Sequence, residues 1–230
     1  MNRENIEHEV RRLHNEIWKN RHLLWPDEQR TPIQMLCPDV AAHILGVKYE
    51  EWPSLGGAQF GFRGQKFVTA GLIDRRANKI AVSTEFSPEI VRFTAGHEIG
   101  HWILHPNEVM HRDRPLDGSS LRGTRNPAER DADCFSACFY MPTQLVVVRF
   151  YALFGVNVPL IFDEATCFHL CPGDYESLLR AEEDSLEREY AIARCVNFNG
   201  QHFYSLANQF RLSLSAMAIR IKELKLIRWP

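Results

Sequence analysis

Apolar residues recur at helical spacing through the first part of the chain. Ile6, Val10, Leu13, Ile17 and Leu24 form one stripe on an otherwise polar segment, predicting an amphipathic helix over residues 4–25 that stops at Pro26. A second short helix is predicted over residues 39–45, with Gly46 as its stop. The texture then changes. Five glycines fall between Gly56 and Gly71, and two β-favouring segments, residues 66–73 and 79–83, read as a hairpin joined through residues 74–78. Lys79, Ile80, Ala81, Val82 and Ser83 alternate, with Ile80 and Val82 on one side, as a half-buried strand should.

Helical signals dominate from there on. Ser87, Pro88 and Glu89 are a capping residue, a first-turn proline and a first-turn acid, opening a helix that runs to His105 before Pro106. Only Arg92 and Glu98 are fully charged between Ile90 and His105, so most sides of this helix are buried. A loop rich in Arg, Asp and Gly is expected over residues 111–125. Asn126-Pro127 then starts another helix, ending at Met141-Pro142. Residues 143–172 are apolar and carry no clear period. Residues 174–195 read as one charged amphipathic helix, and 205–210 and 213–225 as two short helices around a tight turn. The fold class is α+β: a small twisted sheet with packed helices and a helical C-terminal half. The division expected is a core over residues 1–142 with its N-terminal helix, then a helical region over 143–230. In that region 143–204 is an extended segment and 205–227 a helix-turn-helix-like pair.

Composition narrows the classes. The 230 residues suffice for a hydrophobic core without disulfides, and 45% hydrophobic with 24% charged is the balance of an ordinary globular protein. A net charge of -2 excludes a chain-wide electrostatic grip on nucleic acid. Apolar runs such as residues 145–148 are too short to span a membrane, and residues 1–10 lack the apolar stretch of a signal peptide. The expected location is the cytoplasm. Six cysteines fit a reducing compartment. Cys134/Cys138 and Cys167/Cys171 each share a helix face, a spacing that suits either buried small side chains or a second metal site.

His97-Glu98-Ile99-Gly100-His101 is the strongest chemical signal. On a helix, residues four apart differ by about 40° in azimuth and about 6 Å in rise, so both imidazoles can reach one metal ion from the same side. Glu98 lies about 100° round, where it can take a proton from a metal-held water without ligating the metal. The alternative is a pair of histidines and a glutamate hydrogen-bonded within the core. A third ligand has two candidates. His105 extends the same face, but a continuous helix carries it about 12 Å from His97. Glu129 is favoured: it opens the next helix, where Asp133, Ser136 and Tyr140 share its face. Glu129 also suits a capping box with Asn126. Asp133 is placed either to orient a ligating histidine or on a solvated helix face.

Residues 92–105 (RFTAGHEIGHWILH) resemble the R-F-T-x-A-H-E-x-G-H-x-x-L-H signature of the ImmA/IrrE zinc metallopeptidases. Residues 129–137 (ERDADCFSA), with Met141-Pro142, resemble that family's E-x-x-A-N-x-F-A…M-P segment. Gly96 stands where the family has alanine and Asp133 where it has asparagine; the glycine is expected to loosen the helix slightly. The likeness covers about residues 38–142 and returns at 206–227. It implies a zincin-like active-site helix and one zinc ion per chain on His97, His101 and Glu129. Glu98 would be the catalytic acid/base; His105 and Asp133 are, from their own positions on the helices, candidate supporting or transition-state residues. It further implies an endopeptidase whose partner is a helix-turn-helix transcriptional repressor; charge and apolar run length, separately, lead to the expectation of no membrane and no direct nucleic-acid binding. Lys79, Ile80, Ala81, Val82 and Ser83 are expected to be the strand on which a substrate segment lies.

The rival reading is a DNA-binding regulator with a structural zinc. Arg211, Arg220, Lys222, Lys225 and Arg228 face Glu223 alone near the C-terminus, and Arg220 is the cation on which that reading is to be tested. Against it, the first turns of the last helix hold Leu214, Ser215, Ala216, Met217 and Ala218, which offer little to base edges.

Overall fold

A computed structural model describes residues 1–59, 66–107, 110–113, 126–155 and 159–228. The chain divides into two compact units, Met1–Tyr140 and Met141–Pro230.

The first unit begins with α1 (Arg3–Lys19), α2 (Arg21–Leu24) and α3 (Pro38–Ile44). The expected single N-terminal helix is thus broken at Asn20, whose side chain turns back to donate to the Glu16 carbonyl at 2.8 Å. Three strands of the main sheet and a short pair follow: β1 (Lys48–Trp52), β2 (Gly57–Gln59), β3 (Lys66–Val68), β4 (Gly71–Asp74) and β5 (Lys79–Ser83). Then come α4 (Pro88–Leu104), β6 (Met110–Asp113) and α5 (Pro127–Tyr140). The main sheet has the order β1-β5-β4-β6, with β1 parallel to β5 and the other pairs antiparallel.

Two expectations change here. The segment 66–73 is not one strand: β3 leaves to pair with β2, and β4 alone pairs with β5. More consequentially, β5 is an interior strand. Lys79, Ile80, Ala81, Val82 and Ser83 already pair with β1 on one side and β4 on the other, so no edge of theirs is left for a substrate. Ile80, Ala81, Val82 and Ser83 are all buried, because α4 covers the sheet. The outer strands are β1 and β6. The expected loop at 111–125 contributes β6 at its start, and residues 114–125 lie outside the described residues, as do 60–65 of the glycine-rich stretch.

α4 and α5 pack along each other at the centre of this unit. Gly96 and Gly100 make the approach possible. A Cβ on Gly96 would stand 2.5 Å from the Tyr140 ring and 2.6 Å from the Ser136 hydroxyl, and one on Gly100 would crowd Phe135 and the Ala132 backbone. Gly96 therefore tightens the site: it is the recess that receives Tyr140. Ser136 closes the same seam by donating to the Phe93 carbonyl at 2.8 Å.

The second unit contains α6 (Thr143–Phe154), β7 (Leu160–Ile161), α7 (Glu164–Leu170), α8 (Tyr175–Leu179) and α9 (Glu187–Arg194). It closes with β8 (Asn197–Phe198), β9 (Gln201–His202), α10 (Leu206–Phe210), α11 (Leu214–Glu223) and β10 (Ile227–Arg228). The charged helix expected over 174–195 is split between α8 and α9. Arg188 donates to the Leu178 and Leu179 carbonyls, and Lys222 to those of Glu183 and Ser185, so cations from α9 and α11 satisfy the broken turns. Arg220 is also a structural residue. It is 2% exposed and donates to the Met141 carbonyl, Thr143 Oγ1 and Glu223 Oε2, which removes it as a duplex contact. No single described helix is long and apolar enough to cross a membrane.

Candidate active site

α4 delivers His97, Glu98 and His101 because its sequence starts and stops where it should. Pro88 sits at its first position, Glu89 in its first turn, and His105 is its C-cap. The helix is apolar almost all round, so its polar residues are withdrawn from water: His97 and Glu98 are 0% exposed and His101 1%. α5 brings Glu129 and Asp133 against them.

The Nε2 atoms of His97 and His101 lie 3.0 Å apart, and each is 3.5 Å from a Glu129 carboxylate oxygen. All three donors fall within 4.8 Å of one another, and they are the one such metal-capable group among the described residues. Ligand atoms at tetrahedral angles about 2.0–2.1 Å from a zinc ion would be about 3.4 Å apart. The triangle matches that. Two imidazoles and an acid held together in a dry site also need a positive charge among them. The residues fit a divalent metal.

The tautomer fits as well. His97 Nδ1 donates to Asp133 Oδ1 at 2.9 Å, and Asp133 is 2% exposed. That bond places the proton on Nδ1 and turns the Nε2 lone pair toward His101 and Glu129. Asp133 is therefore not on a solvated face. Asn126 caps α5 through the Ala128 amide, at 3.1 Å, while the Glu129 carboxylate reaches the two histidines.

Glu98 lies against β4. A Cβ on Gly71 would fall 2.1 Å from Glu98 Oε1, so the carboxylate occupies the volume a side chain at 71 would take. Gly71 pairs with Asp113, which puts the outer strand β6 next to the strand that touches Glu98. β1 is separated from β4 by β5.

His105 is not in the metal-capable group. Its backbone leaves the helix (φ -125°, ψ 62°), and its Nε2 donates to the Ala128 carbonyl at 3.2 Å. The four cysteines weighed for a second metal site form no metal-capable group among the described residues.

Three residues near the site were not singled out from sequence. Gly71 sat among other glycines, and its role depends on Glu98 lying over it. Ser136 was noted only for its face. Arg75, in the β4–β5 turn, donates through Nη2 to the carbonyls of His101, Trp102 and His105, each at 3.0 Å, and its guanidinium stacks on Trp102 at 4.3 Å. No periodicity marks a turn cation whose partners lie far along the chain.

No curated protein gives a significant match to the chain. Residues 62–153 match the IrrE N-terminal-like domain, a peptidase family, and that span holds both histidines, Glu98, Glu129 and Asp133. The motif resemblance, the donor triangle and this match converge: the match over residues 62–153 supports an ImmA/IrrE family metallopeptidase.

Proposed function

We propose that this chain is a zinc-dependent endopeptidase that cuts a protein partner, a helix-turn-helix transcriptional repressor being the class that the family resemblance favours. The observation that carries the reading is the buried His97–His101–Glu129 triangle, with Glu98 on the same helix. Zinc held by these three residues would supply Lewis acidity, to polarise a carbonyl and bring the pKa of water to about 7. Asp133 keeps His97 in the ligating tautomer. Glu98 accepts the proton of the attacking water and passes it to the departing amine.

The substrate strand is assigned to β6 in place of β5. An extended segment pairing with the outer edge of β6 lies one strand away from Gly71 and its Glu98 contact. Pairing through backbone tolerates side-chain changes but not a proline where a ladder donor is needed. The test combines metal analysis with cleavage of repressors encoded beside this chain. Wild type should hold about one zinc and cut, whereas Glu98→Gln should keep the metal and lose activity by about 10²-fold or more. Near-normal cleavage by Glu98→Gln would remove the general-base assignment. Equal cleavage of every proline variant of the cut segment would remove strand addition.

A further inference from the structure

Glu129 occupies an exacting position for a metal donor. It is the third residue of α5, in a first turn whose amides lack helical partners, and helix ends are where local opening is cheapest. Yet its carboxylate must stay within a few tenths of an ångström of its place beside two rigid imidazoles. Something outside α5 has to hold that turn.

We propose that Arg75 and His105 form a brace that positions Glu129 for metal binding; the inference rests on the metal reading above. The brace starts in the β4–β5 turn. One Arg75 nitrogen, Nη2, meets the carbonyls of His101, Trp102 and His105, where the end of α4 concentrates partial negative charge. Stacking on Trp102 fixes the plane of the guanidinium, so those bonds are made in one orientation. The chain leaves the helix at His105, just ahead of Pro106, and the His105 ring folds back beside His101, with centroids 5.2 Å apart. From there Nε2 donates to the Ala128 carbonyl. Ala128 precedes Glu129 directly, and Asn126 Oδ1 accepts from its amide. The peptide groups on both sides of Ala128 are thus held, one by Asn126 and the other by His105. The turn cation, the end of the histidine helix and the third donor form one connected set.

Arg75 and His105 touch neither metal nor substrate in this scheme. They are positioning residues. Two alternatives share the same contacts: Arg75 as a helix cap that only stabilises the fold, and His105 as a residue that only packs. Metal affinity separates them from a brace. The experiment measures zinc affinity by competition with a chromophoric chelator, and the visible spectrum of the cobalt-substituted protein. The proteins compared are wild type, Arg75→Ala, Arg75→Lys, His105→Phe, His105→Asn, Glu129→Ala and the double variant His105→Phe/Glu129→Ala. The brace predicts that Arg75→Ala and His105→Phe weaken affinity by about 10–100-fold and change the cobalt spectrum. Arg75→Lys and His105→Asn, each keeping a donor, should recover part of the loss. The double variant should bind no more weakly than Glu129→Ala alone, because the brace acts through that donor. Wild-type affinity and spectrum in both Arg75→Ala and His105→Phe would overturn the inference. So would additive losses in the double variant. Failure of the wild type to bind metal would instead overturn the metal reading.

Discussion

Gly71 has no side chain where Glu98 needs room. A methyl group there would sit 2.1 Å from Oε1 and 2.8 Å from both Cγ and Cδ, and β4 cannot retreat because it is paired on both sides. The carboxylate must therefore swing away in Gly71→Ala. Because the histidines and Glu129 are untouched, that variant should fold and hold metal while turnover falls by about 10²-fold or more. Metal content and steady-state rates of the same preparation check this; unchanged turnover would mean that Glu98 acts from another position. The His97–His101 pair was legible in sequence because helix geometry alone brings two residues four apart together. Glu129 was legible as the first acid of the next helix. Gly71 and Arg75 were not, because each matters only through a residue distant in sequence. Gly96 was misjudged for the same reason: its purpose appears only once Tyr140 lies against it.

At the scale of elements, α1 is tied to α5 through His14. Its Nε2 donates to the Phe139 carbonyl at 3.0 Å and its ring stacks on Phe139. Burial, the larger effect, disfavours the charged imidazolium and outweighs the carbonyl's pull, lowering the pKa from about 6.5 to about 4. The unfolded chain then binds a proton that the folded one does not. Stability from this site is complete above about pH 6.5 and is lost as pH falls toward about 4. His14→Gln, which keeps a donor, should be less acid-sensitive than wild type across that window in urea unfolding; parallel pH profiles would contradict it. α4 and α5 were expected within about a residue of their observed bounds, since capping signals and apolar stripes are local. The break between α8 and α9 was not, since Arg188 of α9 folds back on the end of α8 and Lys222 brings further contacts from far along the chain. β1 and β6 escaped notice because their sequences, KYEEW and MHRD, are too polar to announce strands, and backbone pairing with β5 and β4 defines them.

The molecule consists of two units, and each has its own polar keystone. In Met141–Pro230 it is Arg220, which ties α11 to the start of α6. Arg220→Met retains much of the buried volume but leaves the Met141 carbonyl and the Thr143 hydroxyl without this donor. Thr143 is exposed and its hydroxyl can turn to water, but an unmet buried acceptor such as the Met141 carbonyl costs roughly 1–3 kcal/mol, so the variant should unfold at lower urea concentration with unchanged metal affinity. Loss of metal with unchanged stability would reverse the assignment. In Met1–Tyr140 the keystone is the site itself, and its layout has a consequence for folding. His97 and His101 are neighbours on one helix and can meet before any tertiary structure exists. Glu129 belongs to the other side of a long chain closure and joins them only when α5 has docked. An ion held by all three acts as a removable cross-link across that closure, and free metal becomes a variable of the folding equilibrium. At a hundredfold excess over its dissociation constant it adds about 2.7 kcal/mol to a native state of ordinary, marginal stability. A chain starved of metal would then lose its lifetime along with its chemistry.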